Sequence, residues 1–329
     1  MRNENRTLSR KDRWIVVCIG IMVVLSVAGY GMNVFRIGTG GVMGVYYPIG
    51  RLIAQGITDQ NQIGVGQTSG GSIANVHALL NGEIEAGLVQ ADVAFWAFHT
   101  QGPFQEHPES GAIRAVASLY AEHLQIVIRA DAGIHAISDL RGKHLSLDEE
   151  GSGTLAVMRI VLDAYGLSER DLSAVYLKPE FTTNRLAAGD LDGFCVMAGV
   201  PMHGVQAVEE MGIFLLPVER PVALQIQEEY PWFMPAVIEE GVYSGVRQTS
   251  TIGVYALLLV HEDVDEEQVY ELSEKLWSPE MQSLLHAGHP CGSSITLDTA
   301  LEGIPIPLHP GAERYYRERG ILSEEAGSM

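Results

Sequence analysis

Short apolar segments alternate with longer segments of mixed polarity through most of the chain. Four apolar segments have the length and composition of buried strands: Val34–Ile37, Ala86–Val89, Ile113–Leu119 and Gln125–Arg129. In the longer segments, apolar residues recur at helical spacing, as they do from Val157 to Ala164. A chain that alternates strands with amphipathic helices forms a sheet covered by helices, so the pattern predicts an α/β fold.

The later part of the chain continues this pattern without a linker. Asp265 and Gln268 have the spacing of a capping box, and an apolar stripe from Val269 to Leu276 follows them. No internal repeat and no long polar tract interrupts the sequence. We therefore expect two lobes that share crossing segments, rather than two domains in series.

The first 31 residues form a distinct segment. A basic stretch precedes residue 14, and an uncharged apolar run extends from Trp14 to Ala28. Ser26 and Ala28 stand at the −3 and −1 positions of one cleavage site, and Gly29 and Gly31 offer a second. The sequence predicts either a cleaved signal peptide or an uncleaved N-terminal membrane anchor. Both alternatives place the body of the protein outside the cytoplasmic membrane, because basic residues flanking such a segment stay inside.

Composition excludes several classes of protein. Of the 329 residues, 47% are hydrophobic and 19% are charged, which excludes intrinsic disorder. A formal net charge of −20 repels phosphate backbones, so we expect no nucleic-acid partner. Outside the N-terminal segment only Cys195 and Cys291 remain, either as a disulfide pair or as two buried free thiols.

Three glycine-rich turns each join a predicted strand to a predicted helix: Gly38–Gly41, Thr68–Ser72 and Gly151–Thr154. Glycine allows close approach of the backbone, and Ser and Thr supply hydroxyl groups. The helix that follows presents unpaired N–H groups and a partial positive charge, which together favour a small anion. Such turns also cap helices without binding anything, so a binding role requires that they meet in one cleft.

Motifs for catalysis and for metal binding are absent from the sequence. Met43 stands where a dinucleotide fingerprint needs its third glycine, and His144 stands where a phosphate-binding loop needs Ser or Thr. Ala74 stands where a nucleophile elbow at Ser72 needs its second glycine, and Glu150 stands where an elbow at Ser152 needs its first. The histidines show no metal-ligand spacing. The sequence therefore predicts no enzyme, no cofactor and no metal site.

Seven motifs, in order along the chain, resemble the TAXI family, the extracytoplasmic solute receptors of one class of TRAP transporter. The matching segments are Ile37–Gly41 with Gly44–Pro48, Ser69–Ser72 with Asn75, Gly87–Asp92, Leu119–Tyr120 followed by Asp139–Lys143, Gly151–Thr154, Gly189–Gly193, and Pro307–Glu313. The resemblance extends over residues 34–320. An acidic run, Asp148–Glu150, departs from the family pattern before the third turn, where it would repel an anionic ligand.

The resemblance implies a type II periplasmic-binding-protein fold, in which two α/β lobes flank a cleft and two crossing strands join them. We place the crossings near 121–129 and 249–260. The first lobe is predicted to contain residues 34–122 and 255–309, and the second lobe residues 123–254. A C-terminal helix and tail, 310–329, follow, with a helix from Ala312 to Arg319 lying across the lobes.

The resemblance also implies a set of ligand-binding residues. They are Thr39, Gly40, Gly41, Tyr46, Ser72 and Gln90 in the first lobe, with Gly151, Ser152, Gly153, Thr154, Gly199 and Pro201 in the second. For Tyr46 the alternative is core packing, and for Gln90 it is a helix cap. Arg185 is a possible ligand clamp, although its place on a predicted helix favours a solvated role. Glu149 and Glu150 are expected to be solvated.

The function that the resemblance implies is binding without chemistry. The ligand would be a small organic anion or amino acid, such as a glutamate-like solute, a dicarboxylate or a 2-oxoacid. The receptor would deliver it to a TRAP membrane permease driven by an ion gradient. The alternative is a membrane-anchored ligand sensor or surface antigen of the same fold without a permease. An enzyme on the same scaffold is the least favoured possibility.

Overall fold

Strands and helices alternate through residues 33–323, the part of the chain that this computed structural model describes. The predicted signal or anchor segment, residues 1–31, lies outside the described residues. The strands are β1 (Asn33–Gly38), β2 (Gln62–Gln67), β3 (Ala86–Gln90), β4 (Ile113–Arg129), β5 (His144–Ser146), β6 (Ser173–Val175), β7 (Gly193–Ala198), β8 (Ile213–Leu215), β9 (Met234–Ile238) and β10 (Thr249–His261). The helices are α1 (Tyr46–Ile57), α2 (Ser72–Leu80), α3 (Ala91–Phe98), α4 (Gly153–Ala164), α5 (Pro179–Ala188), α6 (His203–Gln206), α7 (Arg220–Glu229), α8 (Glu266–Leu276), α9 (Pro279–Gly288) and α10 (Pro310–Glu318).

All ten strands belong to one mixed sheet in the order β2-β1-β3-β10-β4-β7-β5-β6. The two remaining strands extend it, because β8 pairs with β4 and β9 pairs with β10. β1 runs parallel to both β2 and β3, and β5 runs parallel to both β6 and β7. Each group is thus a small parallel sheet joined through helices, as the α/β pattern of the sequence predicted.

The two long strands, β4 and β10, hold these groups together. They pair with each other in antiparallel register from His123 opposite Gly253 to Ile113 opposite His261. At one end β10 pairs with β3, and at the other end β4 pairs with β7. The molecule therefore has two α/β lobes joined by two crossing strands, which confirms the predicted fold class. We use the predicted lobe limits as names, calling residues 34–122 and 255–309 the first half and residues 123–254 the second half.

β4 corrects one expectation from the sequence. Ile113–Leu119 and Gln125–Arg129 were predicted as separate strands, because polar residues interrupt the apolar pattern between them. The structure has one continuous strand of 17 residues. The ladder continues through the interruption, since Glu122 lies opposite Val254 and His123 lies opposite Gly253.

Several predicted details have definite outcomes. Asp265 begins α8 as predicted, and its side chain accepts hydrogen bonds from the backbone N–H groups of Glu267 and Gln268. Cys195 and Cys291 are both free thiols and both buried. Within residues 33–323, every helix is too short or too polar to span a bilayer.

The last helix has a different position from the one predicted. α10 packs on α8 and on the early part of β4, both in the first half, rather than across the two halves. The Tyr316 hydroxyl donates to the carbonyl of Val116 at 3.0 Å and accepts from the Trp277 indole N–H at 3.1 Å. Burial of this tyrosine and its two hydrogen bonds fix the helix against the first half.

Helix α1 packs closely on strand β2, and Gly64 makes this possible. A Cβ atom at residue 64 would lie 2.1 Å from the backbone oxygen of Ala54 in α1. Backbone cannot move aside as a flexible side chain can. The contact therefore requires glycine at this position.

We predict that Gly64→Ala lowers the free energy of unfolding by about 1–3 kcal/mol, because the added methyl group forces α1 away from β2. The measurement is urea-induced unfolding of the body of the protein. Val65→Ala is the control, since Val65 is 40% exposed and its truncation should change stability by less than about 0.5 kcal/mol. Equal effects of the two substitutions would contradict the close packing of α1 on β2.

Candidate ligand-binding cavity

A cavity of about 70 Å³ lies between the two halves. Residues of both halves line it: Gly40, Gly41, Gly44, Val45, Tyr46, Gly70, Gly71, Ser72, Gln90, Glu122, Asp148, Glu149, Ser152, Gly153, Thr154, Lys178, Pro179, Val196, Met197, Ala198 and Met202. All three predicted glycine-rich turns contribute to this lining. The structure thus meets the condition that the sequence analysis set, since the turns converge in one cleft.

Direct contacts join the two halves around the cavity. The backbone N–H of Ala74, in α2, donates to the carbonyl oxygen of Gly151 at 3.3 Å. The ammonium group of Lys178 donates to the carbonyl oxygen of Ser69 at 3.2 Å. One hydrogen bond therefore joins α2 to the third turn, the other joins the start of α5 to the second turn, and the structure shows the cleft closed over a small space.

Four helices, α1, α2, α4 and α5, begin at this cavity. The residues at these helix starts are Val45 and Tyr46, Gly71 and Ser72, Ser152 and Gly153, and Lys178 and Pro179. The first N–H groups of a helix have no partner within the helix and carry partial positive charge. Four such starts around one space favour a negatively charged group of a bound molecule.

Tyr46 connects the first half to a buried carboxylate. Its hydroxyl donates to Glu122 Oε2 at 3.1 Å and lies 3.4 Å from the hydroxyl oxygen of Ser72. The Ser72 oxygen also accepts from the backbone N–H of Gln90 at 3.1 Å. Tyr46 is buried in the core and also lines the cavity, so core packing leaves it in a position to contact a ligand.

The Gln90 side chain lies between the halves. Gln90 precedes α3 as its N-cap residue, but its side chain makes no capping hydrogen bond. Gly153 allows the amide to reach the start of α4, because a Cβ atom there would lie 2.3 Å from Gln90 Oε1. Gln90 is only 3% exposed, and within the described residues its Oε1 atom has no hydrogen-bond partner. Buried amide oxygens are rarely left unpaired, so this atom is available to a ligand.

Buried carboxyl groups surround the cavity. Burial raises the pKa of Glu122 well above its usual value, and the hydrogen bond from Tyr46 partly opposes this shift. The nearby carboxyl group of Asp92, behind the lining, raises the Glu122 pKa further. Burial also raises the pKa of Asp92 to about 7 and that of Asp148 to about 7. In each case water no longer stabilises the charged form, and no full positive charge replaces it.

Lys178 and Glu149 form an ion pair at the edge of the cavity, with 3.2 Å between Nζ and Oε1. Burial raises the pKa of Glu149, and Lys178 opposes this shift. Glu149 was expected to be solvated, but the approach of α5 brings Lys178 to it and places it in the cavity wall. Lys178 is the one basic residue among the lining residues of the described chain, and this pairing already uses its charge.

Four residues predicted to bind ligand do not line the cavity: Thr39, Gly151, Gly199 and Pro201. Thr39 is fully buried, and its hydroxyl donates to the carbonyl of Gln67 at 2.7 Å, so it fixes the first turn to β2. Gly151 contributes the carbonyl that Ala74 contacts.

Gly199 and Pro201 lie beyond the end of β7. Gly199 packs against the ring of Tyr120 and the sulfur of Cys291, since a Cβ atom would lie 2.7 Å from Cys291 Sγ. Arg185 is exposed on α5 and is not part of the cavity. The other eight predicted residues line the cavity, and their binding of a ligand stays a prediction.

Sequence reasoning missed Glu122 and Lys178. Glu122 had a signal, because it is the one acidic residue in the apolar stretch that became β4. Lys178 had none, because its side chain reaches the cavity only through the folding of α5 against the second turn.

Comparison with known proteins places the chain in a family. The sequence profile of the NMT1-like family matches residues 37–320. The chain belongs to the NMT1-like family. This match covers almost the entire described part of this NMT1-like protein. The narrower TAXI assignment rests on the seven motifs and stays a prediction.

Solved structures resemble the NMT1-like chain at low sequence identity. A protein from Bordetella bronchiseptica RB50 has a TM-score of 0.54 at 15% identity, with 90% of this chain and 85% of that chain covered. The periplasmic binding protein BugD has a TM-score of 0.53 at 12% identity, with coverage of 89% and 95%. The alkanesulfonate-binding protein SsuA from Xanthomonas axonopodis pv. citri, bound to MOPS, has a TM-score of 0.48 at 14% identity, with coverage of 90% and 96%. The likeness to BugD shows the fold of a periplasmic binding protein.

The buried carboxyl group of Asp92 generates a prediction about pH. Between about pH 4 and pH 7 the folded protein keeps this proton while the unfolded chain loses it, because the folded-state pKa is about 7. Raising the pH through this window therefore favours unfolding. Asp92→Asn removes the titrating group, so its stability relative to the native chain should rise with pH, by up to about 1.4 kcal/mol per pH unit.

The measurement is urea-induced unfolding at several pH values between 4 and 7.5. Asp131→Asn is the matched control, because its exposed carboxyl group pairs with Arg129 and has a lowered pKa. The ion pair of Asp131 contributes to stability above the unfolded-state pKa of the carboxyl group, and this contribution is lost as the pH falls. The stability of Asp131→Asn relative to the native chain should therefore not rise between pH 5 and 7. Parallel profiles for Asp92→Asn and the native chain would contradict burial of an uncompensated carboxyl group.

Proposed function

We propose that this NMT1-like protein is an extracytoplasmic solute receptor that binds a small organic anion or amino acid in the cavity between its halves. One observation carries the proposal: helix starts and buried polar side chains from both halves surround the same space. A ligand that contacts both halves favours the closed arrangement over the open one, which is what a receptor for transport requires.

The size of the cavity supports a small solute. By this measure a single water molecule needs roughly 10–15 Å³, so a cavity of about 70 Å³ holds roughly five water-sized groups. A three- to five-carbon acid is of this size, whereas a nucleotide is much larger.

The hydroxyl groups at the third turn support binding rather than catalysis. The Ser152 oxygen accepts from the backbone N–H of Leu155 and caps α4. The Thr154 oxygen accepts from the backbone N–H of Met197 at 3.0 Å. Among the described residues that line the cavity there is no histidine to activate either hydroxyl as a nucleophile. These hydroxyls shape the site and hold the start of α4 in place.

Within this proposal the partner is a TRAP membrane permease. The order of seven motifs along 34–320, which resembles the TAXI family, supports the assignment. The receptor would be exported by its N-terminal segment, deliver its solute to the permease, and leave the ion gradient to drive uptake.

Export predicts a defined N-terminus. If the signal peptide is cleaved, mass spectrometry of the protein purified from the producing cell should find a chain that begins at Gly29 or at Met32, according to which of the two sites is cut. Retention of the intact segment in the membrane fraction favours the anchored alternative. Recovery of the full-length chain from the cytosol of cells competent for export would contradict the extracytoplasmic location.

Gln90 provides the sharpest test of binding. We predict that Gln90→Leu lowers affinity for the solute at least tenfold while the protein remains folded. Leucine fills the same volume but removes the unpaired amide oxygen, so stability should stay equal or increase. The measurement is calorimetry of the body of the protein against a panel of amino acids, dicarboxylates and 2-oxoacids.

Gln225→Leu is the control for this variant, because Gln225 is exposed on α7 and does not line the cavity. It should bind as the native protein does. Unchanged affinity of the Gln90 variant would remove this side chain from the site, and no binding across the panel by folded native protein would overturn the receptor function.

A further inference from the structure

Two buried side chains of the cavity wall, Glu122 and Gln90, have fewer hydrogen-bond donors around them than their acceptor oxygens can use. Glu122, when ionised, only accepts, and it is 1% exposed. Its one hydrogen bond among the described residues comes from the Tyr46 hydroxyl. Asp148 also lines the cavity, but it is half-buried and accepts from the backbone N–H of Glu149 at 2.9 Å. No ion pair within residues 33–323 includes Glu122, Asp92 or Asp148. The ionised form of Glu122 therefore needs further donors from the molecule that fills the space.

Gln90 independently indicates that the cavity wall needs a hydrogen-bond donor from the ligand. Its side chain is neutral, so its position does not depend on the charge of the carboxyl groups. It is nonetheless buried against Gly153 with its Oε1 atom unpaired, and it lines the same cavity as Glu122. A donor from the ligand is the partner that completes it.

The helix starts provide the opposite chemistry. Their N–H groups favour a carboxylate, and they lie on both halves at the first, second and third turns. Lys178 cannot neutralise a second carboxylate, because Glu149 already pairs with it. A ligand with two negative charges and no positive one would therefore bring one charge close to the buried carboxyl groups.

We infer that the solute carries a protonated amine, that Glu122 and the Gln90 amide oxygen bind this ammonium group, and that the helix starts bind its carboxylate. The inference rests on the proposed function and narrows it, because it selects an amino acid over a dicarboxylate or 2-oxoacid. An ammonium group has three N–H donors and a positive charge, so it satisfies the unpaired oxygen and compensates the carboxylate together.

The experiment compares pairs of acids that differ by one group, an amine in one and a hydroxyl in the other. Suitable pairs are L-alanine with L-lactate, L-valine with L-2-hydroxyisovalerate, L-glutamate with L-2-hydroxyglutarate, and 4-aminobutyrate with 4-hydroxybutyrate. Calorimetry with the native body of the protein should show at least a tenfold preference for the amine in every pair that binds. This comparison does not depend on any variant.

Glu122→Gln then tests which residue produces the preference. Glutamine keeps the shape and removes the charge, so the preference should fall below threefold in a protein that circular dichroism shows to be folded. Glu302→Gln is the matched control, because Glu302 also accepts a hydrogen bond from a tyrosine, Tyr255, but is exposed and outside the cavity. It should keep the full preference.

The possible failures are distinguishable. If the hydroxy acids bind as tightly as the amino acids, or more tightly, the inference is overturned while the receptor function stands. An unchanged preference in folded Glu122→Gln removes Glu122 from the ammonium site and overturns the inference as stated. If folded native protein binds no member of any pair, the proposed function fails, and this inference fails with it.

Discussion

The ladder between β4 and β10 is the interaction on which the rest of the molecule depends. These two strands pair with each other along most of their length, while their outer edges pair with strands of different halves. Neither half is complete without these strands, because β4 and β10 each contribute residues to both halves. The cleft is therefore a property of two continuous strands, and Glu122 lies at the point where one of them passes from the first half to the second.

Burial of the Glu122 carboxyl group at this point lowers the stability of the fold. A carboxyl group inside a strand loses its hydration, and a tyrosine hydroxyl replaces only part of it. Asp92, behind the cavity lining, adds to the cost, since it is buried without an ion-pair partner in the described chain. In a protein selected only for stability such positions would be apolar. The proposed function accounts for Glu122, which lines the cavity, as a group kept for a ligand.

The sequence predicted the layers of the fold and eight of the 21 residues that line the cavity. Glycine followed by a hydroxyl residue is a local signal for a helix start, and it correctly located the starts at Ser72 and Ser152. It did not separate Thr39, whose hydroxyl bonds inward to β2, from Gly40, which lines the cavity. That difference depends on which way a side chain points after packing.

Long-range contacts explain the remaining differences. The polar residues in the middle of β4 ended the predicted strand, because the pattern alone does not show that β10 would pair with them. Lys178 reaches Ser69 across more than a hundred residues of chain, and nothing near either residue indicates the contact. The helix α10 was predicted across the halves, but its place depends on the buried hydroxyl of Tyr316. Local signals predict elements, whereas their partners are decided by the folded chain.

The absence of a side chain at Gly153 affects both the fit between the two halves and the position of Gln90. Gln90 approaches the second half only because nothing projects from residue 153, so the fit of the halves and the placement of a recognition group share one contact. A methyl group there would act as a wedge between the halves and displace Gln90. Under the proposed function, substitutions that change solute preference without disturbing the fit of the halves are expected at other wall positions, such as the apolar Val196 or Met202.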